Sequence, residues 1–190
     1  MRTFIAIELP GQIRDFLAHI EERLIATHAD VKWVKPKNIH LTLKFLGEID
    51  EKKHKRIDLI LDEVAGQKPS YKIRISSIGA FPKLDFPRVI WVGVDSGDKE
   101  TKELAKALEE KIQKIGIPKE DRAFSCHITI GRTRSTKDRD KLVQELNNLG
   151  SKFSAENLEF SVNKITLYKS TLTSQGPIYE VLKEASLKTS

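Results

Sequence analysis

Apolar residues along this chain recur at two spacings, and the spacings take turns. TFIAIEL (3–9) has the Phe- and Ile-rich composition of a strand. Ile13, Phe16, Leu17, Ile20 and Leu24 then fall at helical intervals, with Pro10 and Gly11 ahead of them. A strand is predicted at about 39–46. A second helix follows, capped by Asp50, with Ile57, Ile60, Leu61 and Val64 on its apolar face. YKIRISSI (71–78) alternates at period two and is predicted to end at Gly79.

The same order then returns. RVIWVGV (88–94) reads as a strand, and 98–116 reads as a helix with Leu104, Leu108, Ile112 and Ile115 turned inward. Another strand is predicted at about 123–131, then a helix over 137–150 terminated by Gly150. LEFSVNKITLYKST (158–171) supplies strand again. YEVLKEASL (179–187) fits either a last strand or a short helix. His19, His28 and His54 fall on predicted helices at no metal-ligand spacing. Each half thus reads strand, helix, strand, helix, strand, with no low-complexity linker between them. One domain of two packed lobes, spanning 1–190, is expected.

The middle strand of each half carries the same string. His40-Leu41-Thr42-Leu43 and His127-Ile128-Thr129-Ile130 both read His, apolar, Thr, apolar. The chain has only five histidines, and chance predicts roughly 0.04 such strings. Alternation in a strand puts His40, Thr42 and Lys44 on one face and Leu41, Leu43 and Phe45 on the other. Phe45 is accordingly assigned to the core. His127, Thr129 and Gly131 share a face, and Arg132 needs a bulge or the strand's end to join them. Cys126 points away from His127, as a core residue rather than a nucleophile.

Bulk properties narrow the setting. The chain has 190 residues, 39% of them hydrophobic and 32% charged, which is ordinary for a globular protein. Its apolar runs are too short for a bilayer, and its start lacks the pattern of a signal peptide. One cysteine permits no internal disulfide, so a cytoplasmic setting is expected. The formal net charge of +6 suits a polyanionic partner.

Two imidazoles and two hydroxyls opposed across a cleft form a tool for phosphorus chemistry. One histidine can be neutral while the other is protonated, so the pair can serve as base and acid in one displacement. Threonine hydroxyls can donate to the non-bridging oxygens of a phosphate. No Gly-x-Ser-x-Gly elbow, phosphate-binding Walker loop or dinucleotide fingerprint is present.

HLTLKFLGE preceded by VKWVKPKN, and HITIGR preceded by FSC, resemble the paired motifs of the two-histidine phosphoesterases. Within that superfamily they most resemble the RNA 2′,3′-cyclic phosphodiesterases, also called 2′-5′ RNA ligases. RTFIAIELP, GAFP (79–82), ITLYKSTL (165–172) and GPIYEVL (176–182) resemble the same branch. Ser125-Cys126 stands where proline commonly precedes the second histidine of the family.

The resemblance implies an α+β, bilobal fold with pseudo-twofold duplicated architecture. Two antiparallel sheets would face a central cleft, with helices outside. It implies metal-independent hydrolysis of an RNA 2′,3′-cyclic phosphate to a 2′-phosphomonoester, with no cofactor. His40 would be the proton donor, His127 the proton acceptor, and Arg132 a phosphate or backbone contact. Spacing and composition do not distinguish acid from base. Lys44, Tyr168 and Lys169 are further candidates to contact RNA.

Two other readings share these residues. A ligase would join a 2′,3′-cyclic end to a 5′-hydroxyl, and a binding module would keep the cleft without turnover. The expected partner is RNA with a cyclic phosphate end, tRNA halves being one source. No membrane partner is expected, and the protein is expected to be a monomer.

Overall fold

A computed structural model describes residues 1–153 and 158–189. Their order is β1 (Arg2–Glu8), α1 (Gly11–Ile25), β2 (Val31–Trp33), a 3₁₀ turn (Pro36–Asn38), β3 (His40–Glu48), α2 (Glu51–Gln67), β4 (Tyr71–Lys83), β5 (Phe86–Ser96), α3 (Asp98–Gln113), β6 (His127–Thr133), α4 (Arg139–Phe153), β7 (Leu158–Val162), β8 (Lys164–Thr173) and β9 (Gly176–Ser186). The strands make two antiparallel sheets, ordered β3-β1-β8-β9 and β2-β6-β5-β4-β7. The expected α+β class with two antiparallel sheets is what the structure shows.

The sequence halves are not the two sheets. β4 belongs to the first half but pairs with β5, and β8 belongs to the second half but pairs with β1. With that exchange the sheets superimpose in logic: β3-β1-β8-β9 corresponds to β6-β5-β4-β7. The segment 158–171 is accordingly two strands. It breaks at Asn163, whose carbonyl accepts from the Leu187 N–H at 2.8 Å, so that β7 can finish one sheet and β8 enter the other.

Helices cover the outer faces. α2 lies against β8 and β9, α4 against β4 and β5, and α3 against β3, β5 and α2, while α1 packs on α4. Ile5, Ile7, Leu41 and Leu43 from one sheet and Ile90, Val92, Ile128 and Ile130 from the other join a buried cluster with these helices. Each such side chain, fully buried, contributes about 1.5–3 kcal/mol. Asp50 caps α2 as expected, accepting from the Lys53 N–H at 2.7 Å. Among the described residues no helix is long and apolar enough to cross a membrane.

Several predicted boundaries move, each for a tertiary reason. α4 continues through Gly150 to Phe153, which is 1% exposed and meets Phe16 edge-on at 5.5 Å. That burial outweighs the roughly 1 kcal/mol a mid-helix glycine costs. His28 is not helical; it sits in the turn after α1 at φ 59. The segment 179–187 lies largely in β9, where pairing with β8 decides between strand and helix. β6 begins at His127 and extends to Thr133 because β2, too short to show a period, pairs with its far end.

β4 also runs past Gly79 to Lys83. Gly79 sits within it because the Trp91 ring lies across its Cα. A Cβ there would come within 2.5 Å of the ring, and one at Gly93 within 3.0 Å. The two glycines thus let the indole lie against the strand backbones. Gly79→Ala should lift the ring and cost about 1–3 kcal/mol. Urea unfolding against the wild type checks this; an unchanged midpoint would mean that the ring is not held there.

Candidate active site

β3 and β6 lie next to each other where the two sheets meet, which brings the strands that carry the paired strings together. The alternation of both strands is interrupted at the same place. Ala6 pairs with Thr42 but Ile5 with Lys44, which leaves Leu43 as an extra residue. Trp91 pairs with Thr129 but Ile90 with Gly131, which leaves Ile130 extra. A bulge turns two successive side chains to one side, and everything beyond it changes face.

This shift delivers Arg132 to the side of His127 and Thr129, by the bulge that strict alternation lacked. The guanidinium lies close enough to help hold the His127 pKa down, and its charge also acts on Tyr179 in the opposite sheet. The same shift overturns two expectations in β3. Lys44, expected to face the cleft and touch substrate, is 3% exposed; its Nζ pairs with Glu109 at 3.0 Å and donates to the Pro118 carbonyl at 2.9 Å. Phe45, assigned to the core, is 55% exposed on the cleft side, 6.3 Å from the Phe4 ring.

Each histidine is oriented by its own backbone. His40 Nδ1 lies 2.7 Å from the Asn38 carbonyl, and His127 Nδ1 lies 2.8 Å from the Ser125 carbonyl. A carbonyl can only accept, so each Nδ1 carries the hydrogen and each Nε2 is left for the cleft. Sequence offers no signal for this contact, because any residue two before the histidine supplies the oxygen.

Aromatic rings wall both imidazoles. Phe4 stacks on His40 at 4.8 Å and Tyr179 meets it edge-on at 5.4 Å, while Tyr168 stacks on Phe4 at 5.2 Å. Phe81 meets His127 edge-on at 5.2 Å and also contacts Trp91. Tyr168 is therefore brought beside the site, whereas Phe4, Tyr179, Phe81 and Trp91 were not singled out as site residues. GAFP, in which Phe81 lies, was the nearest signal. Lys169 alternates to the other face and pairs with Glu180 at 3.0 Å. Beside His40 a pocket of about 180 Å³ is lined by Glu8, Arg14, Lys37, Tyr168 and Tyr179 among others.

Burial lowers the pKa of both histidines below the ordinary 6.5 by disfavouring the charged form, and the carbonyl contacts partly offset this. For His127 the nearby Arg132 cation lowers it further. Cys126 is 9% exposed in the core, and desolvation pushes its thiol up to about 12, so no thiolate is available near neutrality. Glu48 binds the chain's amino terminus at 3.1 Å. Among the described residues no three of His, Cys, Asp and Glu gather closely enough to hold a metal ion.

Comparison with known proteins agrees with this geometry. Residues 9–173 match the 2′-5′ RNA ligase superfamily. A Methanocaldococcus jannaschii protein named RNA 2′,3′-cyclic phosphodiesterase is 38% identical over 97% of this chain and 99% of its own length. One of the same name from Thermotoga maritima is 35% identical over 99% of this chain and 96% of its own. A crystal structure of Escherichia coli LigT with 3′-AMP aligns with TM-score 0.78 and 26% identity, covering 98% of this chain and 97% of that one. With its paired strings, its exchanged sheets and relatives matching along nearly its whole length, this chain belongs to the 2′-5′ RNA ligase superfamily.

Proposed function

We propose that this protein is an RNA 2′,3′-cyclic phosphodiesterase that opens the cyclic ester to a 2′-phosphomonoester. One observation carries the reading. Two imidazoles on adjoining strands of the two sheets are each held by Nδ1–H on a backbone carbonyl, which leaves each Nε2 for a reacting group. Enzymes of this name are relatives over nearly the whole chain.

The chemistry follows from that arrangement. His127 Nε2 takes a proton from water as the water oxygen attacks phosphorus. The bond from phosphorus to the 3′ oxygen breaks on the far side, and His40 Nε2 protonates that oxygen. The resemblance assigns which histidine does which, and Arg132 supports it. A cation beside His127 favours the neutral form that a base needs. Thr42 and Thr129 donate to the non-bridging oxygens, Arg132 neutralises phosphate charge, and Tyr168 offers a face to a base.

Both histidines come from one chain, so this site needs no second copy. With an RNA 5′-hydroxyl in place of water the same displacement yields a 2′-5′ bond, the reaction for which the superfamily is named. Water at ~55 M favours hydrolysis. A pure binding module has no use for two imidazoles in matched tautomers. A positively charged, hydroxyl-lined cleft supplies the charge stabilisation that divalent ions supply elsewhere, and the reading therefore needs no metal.

Incubation with a 2′,3′-cyclic-phosphate oligonucleotide should give a 2′-phosphate end; a 3′-phosphate product would contradict the assigned displacement. His40→Ala and His127→Ala should each lower turnover by roughly 10²–10⁴-fold. Thr42→Val and Thr129→Val should each raise the barrier by about 2–4 kcal/mol. Near-normal turnover in either histidine variant would rule out paired acid–base catalysis.

The pH profile has a definite direction. Catalysis needs one proton shared by the pair, and both pKa values lie below 6.5 in the free protein. The maximum of kcat/KM should lie on the acid side of 6.5 and fall as pH rises through it. Bound anionic substrate stabilises imidazolium, so the alkaline limb of kcat should lie at higher pH than that of kcat/KM. Rates measured across pH 5–8 decide both points.

Activity should also survive exhaustive dialysis against EDTA. A chelated protein that is inactive and revives with Mg²⁺, Mn²⁺ or Zn²⁺ would refute the metal-free mechanism.

A further inference from the structure

Lys44 is the buried cation that the proposed mechanism does not use. Its side chain is 2% exposed, and it reaches one carboxylate on α3 and two groups on the approach to the other histidine. Nζ lies 3.0 Å from Glu109 near the end of α3, 2.9 Å from the Pro118 carbonyl and 3.7 Å from Glu120. Glu109 in turn accepts from the Glu120 N–H at 2.8 Å. Residues 117–126 have no helix or strand of their own. They include Ser125, whose carbonyl orients His127.

The opposite half shows the mirror of this arrangement, built from backbone. β6 holds the chain that leads into His40. The Val34 N–H donates to the Ile130 carbonyl at 2.9 Å, the Arg134 N–H to the Asp30 carbonyl at 2.8 Å, and Lys32 pairs with Arg132. The residue corresponding to Lys44 is Gly131, against which Trp33 and Val31 pack so closely that a Cβ would lie 2.8 Å from each. The short turn at Pro36–Asn38 follows and presents the carbonyl that orients His40. Each motif strand thus grips the segment entering the other histidine.

We propose that Lys44 is a positioning residue for the proposed reaction: through Glu109 and the Pro118 carbonyl it sets the path of residues 117–126 and thereby the tautomer and aim of His127. This rests on the cyclic-phosphodiesterase reading for its effect on rate, but not for its effect on the imidazole. The ammonium is buried and its bonds to a partly exposed carboxylate and to a carbonyl are charge-assisted and directional. Without it the irregular segment loses its one buried ionic anchor among the described residues, and the Ser125 carbonyl is free to drift from Nδ1. Small misplacements of an acting group have large effects on rate.

The experiment is Lys44→Met, which keeps length and apolar stem while removing the charge, with Glu109→Gln as a milder second variant. Two quantities are read: the His127 tautomer by imidazole ¹⁵N NMR without substrate, and kcat and KM on a cyclic-phosphate oligonucleotide. His127 should become a mixture of Nδ1–H and Nε2–H forms while His40 stays as Nδ1–H. kcat should fall by about 10- to 100-fold, with KM changing less than about threefold. Glu109→Gln should move both quantities the same way by less, and it carries the test if Lys44→Met does not fold. A folded variant with an unmoved His127 tautomer and kcat within about twofold of wild type would overturn the proposal. Wild-type protein inactive on the oligonucleotide would instead sink the functional reading, leaving the tautomer to decide this one.

Discussion

The extra residue just after the threonine of each motif strand governs what the cleft contains. Leu43 and Ile130 stand unpaired at the same place in β3 and β6, and each is held in the core by helices on the outer face. Burying a bulge residue and its neighbour on the same side forces the next side chain into the cleft. That is why a histidine, a threonine and a residue three further on share a face, although a regular strand would separate them. In β6 the residue delivered is Arg132, and in β3 it is Phe45. The cleft is therefore asymmetric in charge although its scaffold is near-symmetric.

Electrostatics then follows from what surrounds the imidazoles. Aromatic rings remove water from His40 and His127 and disfavour their charged forms. The backbone carbonyls counter this weakly, and their larger effect is on geometry, since they hold Nδ1 as the donor and leave Nε2 for chemistry. Arg132 adds the difference between the two sites. Its position beside His127, acting also on Tyr179 across the cleft, places the cation where a phosphate would bridge the sheets. On the proposed reading such a site is preorganised for an anion before one arrives.

The exchange of strands between halves ties the two lobes together. β4 and β8 each leave the half of the chain that contains them and become inner strands of the other sheet. Neither sheet can form from one half alone, which couples the placement of His40 to that of His127. The contacts of β6 with 30–34, and of Lys44 with 118–120, add local ties between the same partners.

Local pattern determined much of this protein. Periodicity was enough for the strand and helix alternation, the inward faces of α1 to α3 and the cap at Asp50, because these depend on neighbours within a few residues. The two His-x-Thr strings were visible because a rare residue pair recurred at matching places. Which strand pairs with which lay beyond the sequence: β8 joins β1 and β7 joins β4 by long-range ladders that leave no local mark, and the hairpin of β4 with β5 bridges the two halves. The bulges leave no mark in the periodicity, so strict alternation puts Lys44 on the wrong face and leaves Arg132 dependent on a bulge that only the structure supplies. The extension of α4 through Gly150 came with the burial of Phe153 against Phe16, far away in the chain, and that of β4 through Gly79 with its ladder to β5. Period and composition act through adjacent residues, whereas register, strand exchange and the facing of a bulged strand are settled only when distant segments compete for the same buried surface.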